Sequence, residues 1–288
     1  MDLRTGWSLA RRSAVIAAAL GITLGGCGGG STPHQGGQGA APHPDHPRDA
    51  ASVAAAWLVP PRPIPGLQQR SVGHGIEGAA VLWRQGEPVP RRAVVFLHGW
   101  HAVPPWFYAG WLRHLARAGD AIVYPVMQGF ATPPEGLADD TLAGIAAGLR
   151  AVDADPEEVV VIGLTSGAVV ALDYAARARA EGLPSPRAVF AVFPGRFPPG
   201  GEIPLADLAA IPPATRLQLV AGPGDPIPDG DAEARRLLAR SSRSSARPGR
   251  VLSAPVRDAG GGPGAGGASR REFWLAADRL IAAARADR

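Results

Sequence analysis

The chain is 288 residues long, 46% hydrophobic and 19% charged, with a formal net charge of +4. That length and apolar content support one large domain plus appendages and exclude a wholly disordered chain. None of the 29 basic residues is lysine, and the arginines are interspersed with acids, which excludes the clustered basic footprint of a nucleic-acid binder.

At the amino terminus, Arg4, Arg11 and Arg12 precede an apolar run over residues 13–24, too short to span comfortably as a transmembrane helix. The run ends in Leu24-Gly25-Gly26-Cys27, which resembles the lipobox of bacterial lipoproteins. The resemblance implies a signal peptide over residues 1–26, a lipidated Cys27, and a membrane-anchored place in the cell envelope. The inner and outer membranes both stay open, and Gly28 after the cysteine gives no acidic retention cue. Cys27 is the only cysteine, so no disulfide is available. Arg11-Arg12 matches a twin-arginine export signal loosely, so the Sec and Tat routes both stay open.

Residues 27–50 are rich in Gly, Pro, Ser, Gln and His, the composition of a disordered tether. His34, His43 and His46 lie there at irregular spacing, so no metal site is expected. Residues 50–59 suggest a short helix before the break at Pro60, Pro61, Pro63 and Pro65. From about Ser71 the pattern alternates. Strands are predicted at residues 79–84, 92–97, 121–126, 158–162, 188–193 and 216–221. Helices are predicted at 107–118, 139–152, 167–180, 232–240 and 271–284. Such alternation predicts an α/β domain over residues 71–288: a mostly parallel central sheet with helices on both faces.

Within that domain, Val159-Val160-Val161-Ile162 runs into Gly163-Leu164-Thr165-Ser166-Gly167 and then a helix. This strand–turn–helix has the layout of a G-x-S-x-G nucleophile elbow, with Thr165 in the serine position. Earlier, the strand ending at Leu97 is followed by His98-Gly99-Trp100; later comes Gly222-Pro223-Gly224-Asp225-Pro226-Ile227-Pro228. In this order the three motifs resemble those of the α/β-hydrolases: a His-Gly after the third strand, the elbow, and an acid-bearing turn. The resemblance implies an α/β-hydrolase fold with an oxyanion hole made by the N–H groups of Trp100 and Ser166. It places Thr165 at the nucleophile, Asp225 at the acid, and a pocket beside His98, Gly99 and Trp106. The proline- and glycine-rich residues 195–211 stand where a lid is often carried, and their shortness implies an open cleft.

Two departures bear on chemistry. The elbow holds its central residue at positive φ, where a β-branched threonine fits poorly. Ser166 is the alternative hydroxyl, but using it shifts the register and puts Leu164 where a small residue belongs. The histidines are 34, 43, 46, 74, 98, 101 and 114, so none follows Asp225. Residues 257–269, where the resemblance places the catalytic histidine, are glycine-rich and hold no imidazole, thiol or lysine. Without a base, a Ser or Thr hydroxyl is a poor nucleophile at neutral pH. His101 is the candidate substitute base, while His98 is expected to support its loop and His114 to lie on a helix face.

Of the aromatics at 100–111, Trp111 fits a buried helix face with Leu112 and Leu115; Trp100 and Trp106 suit the pocket. The glycine-rich loops have neither P-loop nor dinucleotide spacing, so no cofactor is expected. The expectation is an envelope lipoprotein with a degenerate triad, binding a small apolar or acyl-bearing ligand or a partner without hydrolysing it. The alternative is an atypical carboxylic-ester hydrolase using Thr165 or Ser166 with Asp225. A decayed relative with no retained function is also left open.

Overall fold

The computed structural model describes residues 62–100, 102–128, 136–195, 203–221, 230–241, 249–253 and 273–286. Cys27 with its leader and tether, the expected helix at 50–59, His101, Asp225 and residues 257–269 all lie outside the described residues.

Eight strands among the described residues form one sheet: β1 (Leu67–Val72), β2 (Ala79–Arg84), β3 (Ala93–Leu97), β4 (Ala121–Pro125), β5 (Val159–Leu164), β6 (Ala188–Val192), β7 (Arg216–Ala221) and β8 (Gly249–Ser253). Their order is β1-β2-β4-β3-β5-β6-β7-β8. β2 runs antiparallel to β1 and β4, and every other pairing is parallel. The six predicted strands are all present. The two additions, β1 and β8, are the edge strands, and β1 starts ahead of Ser71. An edge strand has one paired side and a largely wet surface, so Leu67-Gln68-Gln69-Arg70-Ser71-Val72 carries no apolar run to betray it.

The sheet is covered on both faces. Helices α1 (Ala109–Arg117) and α5 (Leu275–Ala286) pack on one face; α2 (Leu137–Ala151), α3 (Ser166–Arg177) and α4 (Gly230–Ser241) pack on the other. Strand alternation separates two cores. Val94, Phe96, Val160, Ile162 and Phe190 meet Trp111, Leu112 and Leu115 of α1. Val95, Leu97, Val161 and Val189 meet α2 and α3 on the opposite side. Because β3, β5 and β6 are buried on both faces, they read as continuous apolar runs, which is the mark of central parallel strands. The predicted helix at 107–118 starts later, at Ala109. Pro105–Tyr108 forms a 3₁₀ turn ahead of it, with proline in the first turn.

At the amino ends of the parallel strands, charged side chains clip α5 in place. Arg285 Nη2 donates to Asp120 at 2.7 Å, and its Nε lies 2.9 Å from Glu158 Oε2 as an ion pair. Arg92 Nε stands 3.3 Å from the same Asp120. On the other face, buried Asp173 of α3 accepts the Ala206 N–H at 2.8 Å and fixes residues 203–211 against that helix. Desolvation pushes the Asp173 carboxyl up from its usual range, opposed by the Ala206 N–H and by Arg177. Among the described residues, no helix is long and apolar enough to cross a membrane.

Candidate functional site

The carboxyl ends of β3 and β5 lie side by side, with Leu97 paired to Gly163, and ligands of open α/β sheets bind at such edges. β5 passes directly into α3 through Thr165, which sits at φ 49°, ψ −113°. That conformation costs a β-branched residue about 1–3 kcal/mol and persists only where its surroundings impose it. Here the neighbours do. The Thr165 N–H donates to Val192 O at 2.9 Å, tying the turn to β6.

The two glycines of the motif are explained by close packing. A Cβ on Gly163 would stand 2.3 Å from Gly167 O, and one on Gly167 would stand 2.4 Å from Leu97 O and 2.5 Å from His98 O. A larger residue at 163 pushes β5 off the start of α3, and one at 167 drives the elbow away from the β3 loop.

The hydroxyls of Thr165 and Ser166 lie in different environments. Thr165 is half-buried, and Trp100 N–H donates to its Oγ1 at 3.4 Å, a long contact. The Trp100 N–H thus faces the Thr165 hydroxyl. Ser166 is fully buried, and its Oγ finds no partner among the described residues. Its N–H belongs to the first turn of α3, where amides have no intrahelical acceptor.

His98 and Gly99 form the opposite wall. Gly99 comes so close that a Cβ there would lie 2.8 Å from Thr165 Oγ1. Its N–H donates to Tyr108 Oη at 3.1 Å, so the turn after β3 is held by a side chain from the turn before α1. Burial pushes the Tyr108 phenol up to about 12, offset in part by the Gly99 N–H, and it stays neutral. Tyr108 is the site residue that the sequence left among the aromatics; nothing in its spacing from Gly99 signals the bond.

His98 is fully buried and its ring stacks on Tyr124 at 5.4 Å. Its Nδ1 lies 2.8 Å from Gly99 O, a contact that only a protonated Nδ1 can donate, which leaves the lone pair on Nε2. Nε2 is buried without a partner among the described residues. Desolvation drops the imidazole pKa to about 4, with the Gly99 carbonyl opposing weakly. His98 is thus a neutral ring that braces its loop.

His114 lies on α1 with Nε2 2.8 Å from Asp278 of α5 and its ring 5.4 Å from Trp274, so it joins two helices. Trp111 is buried in the core, as its helical spacing predicted. Trp106 lines a cavity between β1, β2 and residues 103–106, and Thr165, Gly99 and His98 do not line it. The structure thus brings together Trp100, Gly99, His98, Thr165 and Ser166, with Trp106 set apart.

No family model and no curated protein matches the chain in sequence. Solved structures do resemble it over most of its length. A dienelactone hydrolase-like promiscuous phosphotriesterase from metagenomic libraries has a TM-score of 0.54 at 19% identity, covering 76% of this chain and 98% of its own. The HSL-homolog EstE7 from a metagenome library has a TM-score of 0.57 at 13% identity, covering 82% and 92%. A bacterial heroin esterase has a TM-score of 0.55 at 18% identity, covering 82% and 89%.

The fold is that of the α/β-hydrolases.

Within an α/β-hydrolase fold, the elbow between β5 and α3 and the loop after β3 stand where the sequence motifs put them. Among the described residues no group of three His, Cys, Asp or Glu side chains is placed to hold a metal ion. The groups brought together can offer hydrogen bonds to a ligand oxygen beside Thr165. Proton removal from that hydroxyl would need a base, and neither His98 nor His114 is disposed to supply one.

Proposed function

We propose that this chain is a cell-envelope lipoprotein, anchored through Cys27, that uses an α/β-hydrolase fold to hold a small apolar or acyl-bearing ligand without hydrolysing it. The observation that carries this reading is the state of the imidazoles around an otherwise well-formed elbow. His98 is locked to Gly99 O and is a weak base with a pKa of about 4, and His114 is engaged with Asp278. No histidine follows residue 114 in the sequence. Among the described residues no imidazole is placed to take the Thr165 proton, and a hydroxyl without a base is a poor nucleophile at neutral pH. The first turn of α3 offers backbone N–H donors to a ligand carbonyl, beside the Trp100 N–H that meets Thr165 Oγ1, and backbone groups survive side-chain change.

A second reading is an atypical ester hydrolase working through Thr165. It is supported by the Trp100 N–H that meets Thr165 Oγ1, and by the esterases and dienelactone hydrolase-like proteins that share the fold. In that reading His101 is the substitute base and Asp225 holds the acid position.

The two are separated by assaying the full-length chain on short- and medium-chain p-nitrophenyl esters beside Thr165→Ala, Ser166→Ala and His101→Ala. The ligand-binding reading expects no turnover above buffer in any of the four. Turnover in the parent chain that disappears in a folded Thr165→Ala or His101→Ala variant would establish the hydrolase instead.

A further inference from the structure

The cavity beside β1 offers a second site, separate from the elbow. We propose that it binds a small neutral molecule with an apolar, ring-like body and one amide or hydroxyl end. The register pairs Ser71 with Ala80 and Gln69 with Leu82, and pairs Ala80 with Tyr124. Alternation therefore turns Gln69, Ser71, Ala80 and Tyr124 to the same face of the sheet, under the turn that leads into α1. Together with Val103 and Trp106 they border an open cleft of about 320 Å³, at the lower end of the range of small-molecule pockets.

The chemistry of the walls selects the ligand. Among the described lining residues only Tyr124 carries an ionisable group, and its hydroxyl is committed, donating to Ala102 O at 3.0 Å. Arg70, the cation of β1, points to the other face and donates to Ala151 O. A charged group seated against this wall would thus give up part of its hydration with no opposite charge among the described lining residues to meet it. A neutral ring can lie against Trp106, Val103 and the paired prolines 104 and 105. At the polar end, the side chains of Gln69 and Ser71 have no hydrogen-bond partner among the described residues and can serve an amide or hydroxyl. The walls are largely formed in advance. β2 is paired on both sides, and Pro104 and Pro105 restrict the facing backbone, so little ordering opposes binding.

The test is calorimetric and ligand-observed NMR titration of the full-length chain with benzamide, benzoate and benzylammonium, which share a ring and differ in charge. Benzamide is expected to bind with Kd of about 1 mM, an affinity suited to so small a ligand, and the two ions at least about tenfold more weakly. Ala80→Leu, which fills the cavity from the sheet face, should weaken benzamide at least about tenfold. Gln69→Leu, on the edge strand where substitution is well tolerated, should weaken it about threefold or more, and keeps the test open if Ala80→Leu does not fold. Absence of benzamide binding, equal binding of benzoate, or benzamide affinity unchanged in a folded variant would each overturn the assignment. Because ester turnover is not measured, the outcome is independent of whether Thr165 is catalytic.

Discussion

Replacing His98 by asparagine should flatten the acid limb of the protein's stability curve. The imidazole is buried and neutral in the folded chain, with a pKa near 4 against 6.5 for an ordinary histidine. Between those pH values the unfolded chain takes up a proton that the folded chain refuses, so unfolding gains as pH falls. The sign is therefore fixed: the His98 contribution leaves stability greatest above pH 6.5, erodes it as pH drops toward 4, and levels off below. At 1.36 kcal/mol per unit, the whole window is worth about 3 kcal/mol, and the stretch from pH 6.5 to 4.5 about 2 kcal/mol. Asparagine places an amide N–H where Nδ1 donates to Gly99 O, and it does not titrate. Its loss of the ring lowers stability at every pH through the vacated space against Tyr124, so the informative quantity is the slope and not the absolute value. Urea unfolding of both chains at pH 4.5, 5.5, 6.5 and 7.5 gives the two curves; carboxylates and the other histidines contribute alike to each and drop out of the difference. A parent curve steeper than the variant's by about 2 kcal/mol between pH 6.5 and 4.5 is expected. Parallel curves would refute the assignment of His98 as a buried neutral brace.

Two other changes probe the same architecture. Gly167→Ala inserts a Cβ within 2.5 Å of two carbonyl oxygens on the β3 loop and should cost about 3 kcal/mol or more, read as a lowered urea midpoint; an unchanged midpoint would mean that elbow and loop are not in contact. Arg285→Met leaves Glu158 and Asp120 buried with their shared cation removed, although Arg92 still reaches Asp120. The expected loss is about 3 kcal/mol, seen as a fall in Tm, and a neutral or stabilising result would show that the three charges contribute nothing net.

How far the site could be read from sequence varied with the physics of each residue. Gly163 and Gly167 were legible because a side chain at either position collides with backbone, so the motif itself records the geometry. Thr165 was legible as a misfit for the same reason: positive φ is a local backbone property, and the φ of 49° agrees with the expectation. The central strands showed themselves as apolar runs because both faces of each are buried. β1 did not, because an edge strand owes its place largely to pairing, and its residues Leu67–Val72 are half-buried or exposed. Tyr108 was invisible as a site residue. Its hydroxyl meets Gly99 only because the 3₁₀ turn at Pro105–Tyr108 folds back beneath the loop.

The sequence by itself determined the strand and helix alternation, the glycine-flanked elbow, and the lack of any histidine beyond residue 114. Each is a matter of composition or local spacing. Tertiary structure decided which of two adjacent hydroxyls is accessible. Thr165 stands at the tip of the turn and Ser166 enters the packed first turn of α3, a difference created by the direction of the helix. It also decided that His98 is neutral and that Trp106 belongs to a separate cavity. Burial, hydrogen-bond partners and neighbouring strands come from residues distant in the chain, and no local pattern records them.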